Sequence, residues 1–285
     1  MKSDLIEWST FLKTVRHFFD GRSVIEVTTR PLSHYGNPDP YVDPLKTSSG
    51  FLHTSPEFEM KQLLAKGAPD CYQICHVFRQ EEQGPWHQEA FLMLEWYRID
   101  WGMHQLIHEV LNFVQLIVGQ KTIMWVKYHE LFSSYLSIDI TTMSLEGLRE
   151  ICMMHHMDAM EWTWNDCLFA LQSCVIEPQL TGITVVTEYP QDQASLAKLA
   201  SEGYALRFEV YIDHLEIANG FEELTDENIQ RHRFAEQNAM RFKMGKPCIP
   251  LDDSFLNALK HMPQCSGVAL GLERLFAIQQ GRQSL

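Results

Sequence analysis

Apolar residues recur at helical spacing from the start of the chain, at Leu5, Trp8, Phe11, Leu12, Val15, Phe18 and Phe19, and the pattern stops at Asp20-Gly21. The β-branched run Val24-Ile25-Glu26-Val27-Thr28 follows and predicts a strand. Residues 31–50 are rich in Pro, Ser, Gly, Asn and Asp, which predicts a long loop, functional or mobile at that length. Thr54-Ser55-Pro56-Glu57 then opens a helix to about residue 66, with Ser55 able to cap and Pro56 in the first turn. A strand over 72–78 leads through the polar stretch Arg79-Gln80-Glu81-Glu82 to a second strand over 91–97. In that second strand Phe91, Met93, Glu95 and Tyr97 share one face, and Leu92, Leu94 and Trp96 share the other.

Helical periodicity returns over 103–120, and shorter helices are predicted over 145–156 and 166–175. Beyond them come a strand over 183–186, a helix over 194–200 and a strand over 205–211. Leu215-Glu216-Ile217-Ala218 alternates and meets Asn219-Gly220, a strong turn signal at which the chain is expected to fold back. Helices over 226–240 and 252–261, an apolar strand over 267–270 and a last helix after Gly271 complete the order. No regular βαβ alternation is present, so the order predicts an α+β fold: an antiparallel sheet flanked by helices. Residues 1–285 read as a single domain, with a helical insertion at about 121–180.

At 285 residues and 45% hydrophobic content, the chain can bury a sizeable core. The formal net charge of −14 works against a large nucleic-acid footprint, because phosphate contacts need clustered Lys and Arg. Neither an apolar leader nor a long apolar run is present, which predicts a soluble, cytoplasmic protein. The seven cysteines lack paired CxxC spacing, so neither a disulfide framework nor a structural zinc site is indicated. With no GxGxxG and no GxxxxGK[ST], any ATP site belongs to neither the Rossmann nor the P-loop type.

The segment around Arg79 carries the chemistry. A guanidinium offers paired donors to a phosphate, a phenyl face such as Phe91 suits an adenine ring, and a carboxylate beside a phenol, Glu95 with Tyr97, suits a substrate ammonium. Glu216 and Glu223 flank the expected turn, and either they form a solvated acidic hairpin or folding back brings two acids to one Mg2+. Arg274 follows an apolar strand and Gly271, where it either pairs on the surface or clamps a triphosphate. His104 and His108 stand one helical turn apart without a third ligand and read as surface histidines.

Taken together, Thr54-Ser55-Pro56-Glu57 with Met60-Lys61, the segment 78–97, Arg207-Phe208-Glu209-Val210-Tyr211, Glu216 to Leu224 and Cys265 to Gly271 with Arg274 resemble class II aminoacyl-tRNA synthetases. The likeness covers motifs 2 and 3 of the lysyl branch and is narrower still to the stand-alone paralogues that lysylate elongation factor P. That resemblance implies an ATP- and Mg2+-dependent ligase, homodimeric through the motif 1 region near 24–31, which activates lysine, preferably (R)-β-lysine, as an aminoacyl-adenylate. Its acceptor is then the ε-amino group of a lysine on elongation factor P.

Site roles follow from the resemblance. Arg79 and Arg274 are the catalytic cations, and ATP is bound by these with Gln80, Glu81, Gln88, Phe91, Glu216, Ile217 and Gly271. Ser55, Pro56, Glu57, Glu95, Tyr97, Asn219, Glu223 and Ala269 form the amino-acid pocket, and Glu216 and Glu223 carry Mg2+. The tRNA-charging relatives usually have glycine where Ala269 stands, and an anticodon-binding domain is not expected. The protein acceptor is therefore favoured over tRNA. Alternatives are a truncated lysyl-type synthetase acting on tRNA or another carrier, and a degenerate regulatory protein. In motif 2 the family's His-Asn-Pro-Glu-Phe is replaced by His87-Gln88-Glu89-Ala90-Phe91.

Overall fold

In a computed structural model describing residues 2–285, the chain divides into two compact units, 1–120 with 220–285, and 121–219. Element order is α1 (Lys2–Asp20), β1 (Ile25–Glu26), β2 (Leu32–Ser33), β3 (Lys46–Thr47), β4 (Gly50–Leu52), α2 (Glu57–Ala65), β5 (Cys71–Phe78), β6 (Ala90–Ile99) and α3 (Met103–Val118). The second unit holds β7 (Ile123–Lys127), α4 (Tyr128–Leu136), α5 (Leu145–Met154), α6 (Trp164–Leu171), β8 (Ile183–Tyr189), β9 (Ala205–Ile212) and most of β10 (Leu215–Glu222). The chain then returns to the first unit through α7 (Glu227–Lys243), α8 (Asp253–Leu259), β11 (Cys265–Gly271) and α9 (Leu272–Gln279).

The class is α+β, with most pairing antiparallel. In the first unit the strand order is β1-β5-β6-β11, and β5 and β11 each run antiparallel to β6. The short β1 instead pairs parallel to β5. In the second unit β8 and β9 are antiparallel, while β7 lies parallel to β8. Alternation along β6 buries its apolar face as expected: Leu94 and Trp96 are inaccessible, and Trp96 meets Phe19 at 5.4 Å and Phe113 at 6.3 Å between ring centroids. Phe19 also stacks on Tyr72 at 4.4 Å, so α1 and α3 cover this side of the sheet with aromatic rings. Among the described residues no helix is long and apolar enough to cross a membrane.

Three local expectations are corrected. Asn219-Gly220 is no turn, because β10 runs unbroken through both residues. The hairpin closes earlier, at Asp213-His214, where Asp213 adopts φ +52° and its carboxylate accepts from Gly182 N at 2.9 Å. Asparagine and aspartate both tolerate the left-handed region, and the ladder of a long strand outweighs a local turn preference. Residues 194–200 form no helix, since Ser195 takes φ +47° and Lys198 and Leu199 bridge toward β9. Pro56 is the residue before α2 rather than part of its first turn, although Ser55 Oγ does accept from Glu57 N at 3.0 Å. The loop over 31–50 also holds the small sheet β2-β4-β3.

Candidate active site

The first unit gathers most of the candidate residues, and the ladder registers explain how. Glu95 on β6 stands opposite Gln73 on β5 and Ala269 on β11, so all three side chains leave the same face. Tyr97 stands opposite Gly267, where an added Cβ would collide with the Tyr97 ring and come within 2.6 Å of Glu223 Oε1. Glycine there lets the phenol and the carboxylate share one small volume.

Around this face lies a buried polar cluster. Glu95 accepts from Ser55 Oγ at 2.5 Å and from Tyr97 OH at 2.7 Å. Lys61, reached from the next turn of α2, places its ammonium 2.6 Å from Glu57 Oε1 and 2.5 Å from Glu223 Oε2. Three carboxylates therefore face one lysine, in a place where Lys61 and Glu223 are each 1% exposed and Glu95 2%. Burial, then repulsion from Glu57, pushes the Glu95 carboxyl up to about 7, against the hydrogen bonds from Ser55 and Tyr97. Burial alone would lower the Lys61 pKa, but attraction to Glu223 and Glu57 outweighs it and holds the ammonium charged, above its ordinary value. Burial likewise pushes Glu223 up, opposed by the Lys61 ion pair.

Beside the cluster lies a small open pocket lined by Ser55, Glu57, His53, Phe58, Glu59, Arg30, Tyr35, Asn37, Pro44 and Asp252 among others. Ser55 and Glu57 thus join the pocket wall to Glu95 and Lys61 behind it. Pro56 sets the entry into α2, holding Ser55 and Glu57 on either side of it.

Arg79 follows β5. Its guanidinium lies over the Phe91 ring, 5.1 Å from the centroid, with long contacts of 3.5 Å to Thr54 O and to Glu82 Oε1. At such distances the fork is loosely held and able to turn to an anion. Gln80 Nε2 donates to Glu81 Oε1 at 3.3 Å, and Glu81 has φ +64°. The replacement at 87–91 has a structural role: Glu89 Oε1 accepts from Glu81 N at 3.1 Å, Ala90 begins β6, and Gln88 is exposed. Gly84 and His87 close a tight turn through reciprocal backbone bonds of 3.1 and 3.2 Å, and Arg274 Nε donates to Trp86 O in that turn at 3.0 Å. Arg274 is thus anchored to the loop after Arg79, with Gly271 at the end of β11 carrying it into α9.

In the second unit, Glu216 lines a small open pocket with Arg207, Glu209, Tyr189, Tyr211, Gln172 and Gln193 among others. Asn219 Nδ2 approaches Glu209 Oε1 at 3.5 Å, and Ile217 is buried on β10. Glu209 also accepts from Arg207 Nη2 at 2.5 Å, Tyr189 OH at 2.6 Å and Tyr211 OH at 2.5 Å. Burial opposes the Arg207 charge, but Glu209 more than offsets it and raises the guanidinium pKa.

Lys61, Gln73, Arg207 and Glu209 were not singled out by sequence reasoning as site residues. Gln73 is 2% exposed and its Oε1 has no hydrogen-bond partner, beside Glu95 on the ladder. The signal for Lys61 was its place one helical turn after Glu57. As for metals, the described residues contain no group of three or more His, Cys, Asp or Glu able to hold an ion. Glu223 Oε2 faces the Lys61 ammonium at 2.5 Å, and Mg2+ needs only one or two carboxylates beside phosphate oxygens. His104 and His108 are exposed on α3.

The family model for class II tRNA synthetases of the D, K and N type matches residues 1–285. A protein of Pasteurella multocida named elongation factor P–(R)-β-lysine ligase is 38% identical over 99% of this chain and 92% of its own length. Proteins of the same name from Haemophilus ducreyi and Mannheimia succiniciproducens are 39% and 40% identical, covering 96% and 93% of the chain and 89% and 87% of their own. The match spans the whole chain, and the chain belongs to the class II tRNA synthetase family.

Proposed function

We propose that the protein is an ATP-dependent, AMP-forming ligase that activates lysine, preferentially (R)-β-lysine, and transfers it to a lysine ε-amino group of elongation factor P. The observation that carries this reading is the buried set of Glu57, Glu95 and Glu223 against the single cation Lys61. With all four charged the set carries two negative charges in excess, the complement of a ligand with two ammonium groups. Proteins 36–40% identical to the chain bear the name of this ligase, which supports the choice of amino acid and acceptor.

In the first step the carboxylate of the amino acid attacks the α-phosphorus of ATP, forming the mixed anhydride and releasing pyrophosphate. Arg79 meets the charge on the α-phosphate, Phe91 offers its ring to the adenine, and Arg274 holds the outer phosphates. Ser55, Glu95 and Tyr97 orient the ammonium end, with Glu57 and Glu223 beside it and the Ala269 methyl limiting the space next to Glu95. Gln80, Glu81 and Gln88 border the nucleotide, and Glu216, Ile217, Asn219 and Gly271 complete the proposed set. In the second step the acceptor ε-amine, as the free base, attacks the anhydride carbonyl; the C–N bond forms, the C–O bond to the phosphate breaks with its electron pair leaving on AMP, and the nitrogen loses one proton to solvent. The reading of residues 1–285 as one catalytic domain with a helical insertion at about 121–180, acting as a homodimer without tRNA, belongs to the same proposal.

The test is mass gain on purified elongation factor P in the presence of ATP, with α-lysine and (R)-β-lysine offered separately. The expected result is a gain of one β-lysyl residue, with α-lysine the poorer donor. Amino-acid-dependent pyrophosphate exchange with no mass gain from either would replace the acceptor, and absence of both would end the reading.

A further inference from the structure

The loop over residues 37–45 is fastened to the end of α7 through one carboxylate. Arg241 is 1% exposed, and its guanidinium donates to Asp43 Oδ1 at 2.8 Å, to Asp39 O at 2.9 Å and to Pro247 O at 2.9 Å. Lys246 Nζ takes the other Asp43 oxygen at 2.7 Å and Pro40 O at 2.8 Å. Two cations on opposite oxygens leave this carboxylate little freedom to rotate, and a buried arginine with three acceptors holds them all in register.

The main chain of the same residue reaches the catalytic hairpin. Asp43 O accepts from Gln80 N at 2.8 Å, and Pro44 forms an antiparallel bridge with Arg79. On the other side the Arg79 N–H donates to Glu89 O at 2.8 Å. The Arg79 backbone is therefore held between the start of β6 and the Asp43-Pro44 segment. Its side chain has only the 3.5 Å contacts to Thr54 O and Glu82 and the ring of Phe91 beneath it. With so little grip on the guanidinium itself, its aim depends on where the backbone is set.

We propose that Arg241 and Lys246 are positioning residues for adenylate formation: through Asp43 they fix the backbone from which Arg79 reaches the α-phosphate. The inference rests on the ligase reading for the role of Arg79. Its own content is that a cation pair at the end of α7 controls the phosphate chemistry through the backbone of Arg79.

The test uses the two diastereomers of adenosine 5′-O-(1-thiotriphosphate) as probes in amino-acid-dependent pyrophosphate exchange, with turnover normalised to active sites. The wild-type protein should prefer one diastereomer, because a fixed guanidinium distinguishes the two α-phosphate oxygens. In Asp43→Asn and Lys246→Gln, turnover should fall about 10–100-fold, the size expected for misplacement by about an ångström. The diastereomer preference should shrink. A merely structural latch would lower the active fraction but leave the preference intact. Should Arg241→Met fail to fold, Lys246→Gln keeps the test open, since that side chain is 29% exposed. Wild-type preference retained in both foldable variants overturns the positioning role. Absence of amino-acid-dependent exchange in the wild-type protein overturns the ligase reading and this inference with it.

Discussion

The ammonium of Lys61 lies 2.5 Å from the carboxylate of Glu223, with both side chains 1% exposed. An ion pair this far from water is held by mutual need, because either partner alone would be an uncompensated buried charge. Replacing Lys61 by Met should therefore cost roughly 3–5 kcal/mol of stability, read as a lower urea midpoint. Adding Glu223→Gln to Lys61→Met should recover much of that loss without restoring activity, since no strong charge is then stranded at that point. A Lys61→Met protein as stable as the wild type would contradict the geometry.

Glu95 gives the site a pH dependence with two opposite signs. Its folded pKa is about 7, against an ordinary 4.5, because of burial and then repulsion from Glu57. Between those values the unfolded chain releases a proton that the folded protein keeps, so stability should fall as pH rises through the window, by roughly 3 kcal/mol from this group. Binding of an ammonium ligand runs the other way, because it needs the ionised carboxylate. The KM for the amino acid should fall between pH 6 and 8. Ser55 favours the charged form by its 2.5 Å hydrogen bond, so Ser55→Ala should move that midpoint to higher pH. Titration of KM against pH in both proteins checks the sign, and a flat wild-type profile would exclude Glu95 from contact with the ammonium.

Gly267 is sterically obligatory. The Cβ of alanine would meet the Tyr97 ring and stand 2.6 Å from Glu223 Oε1, so either Tyr97 leaves Glu95 or the β6–β11 ladder opens. Overpacking of this kind costs typically about 1–3 kcal/mol. Gly267→Ala should lower the thermal midpoint accordingly and weaken amino-acid binding more than ATP binding, as measured by isothermal titration of each.

Sequence by itself determined the longer elements, α1, α3, β5, β6, α7 and α8 among them, and the face that each residue of β6 presents, because strand alternation and helical spacing are local properties. Phe91, Glu95 and Tyr97 were legible for that reason, and Arg79 was legible from its place at the strand end. The Asn219-Gly220 signal misled because it too is local, and a strand ladder supplied by distant segments outweighs it. Lys61 stands among the residues that carry the resemblance, but it takes no role in the site until folding sets it between Glu57 and Glu223. The loop over 31–50 read as loose from its composition, yet Asp43 is tied to Arg241, 198 positions away in sequence. Tertiary structure alone decided which charges meet in the core, because a buried ionic group is fixed by partners that no neighbouring residue foretells.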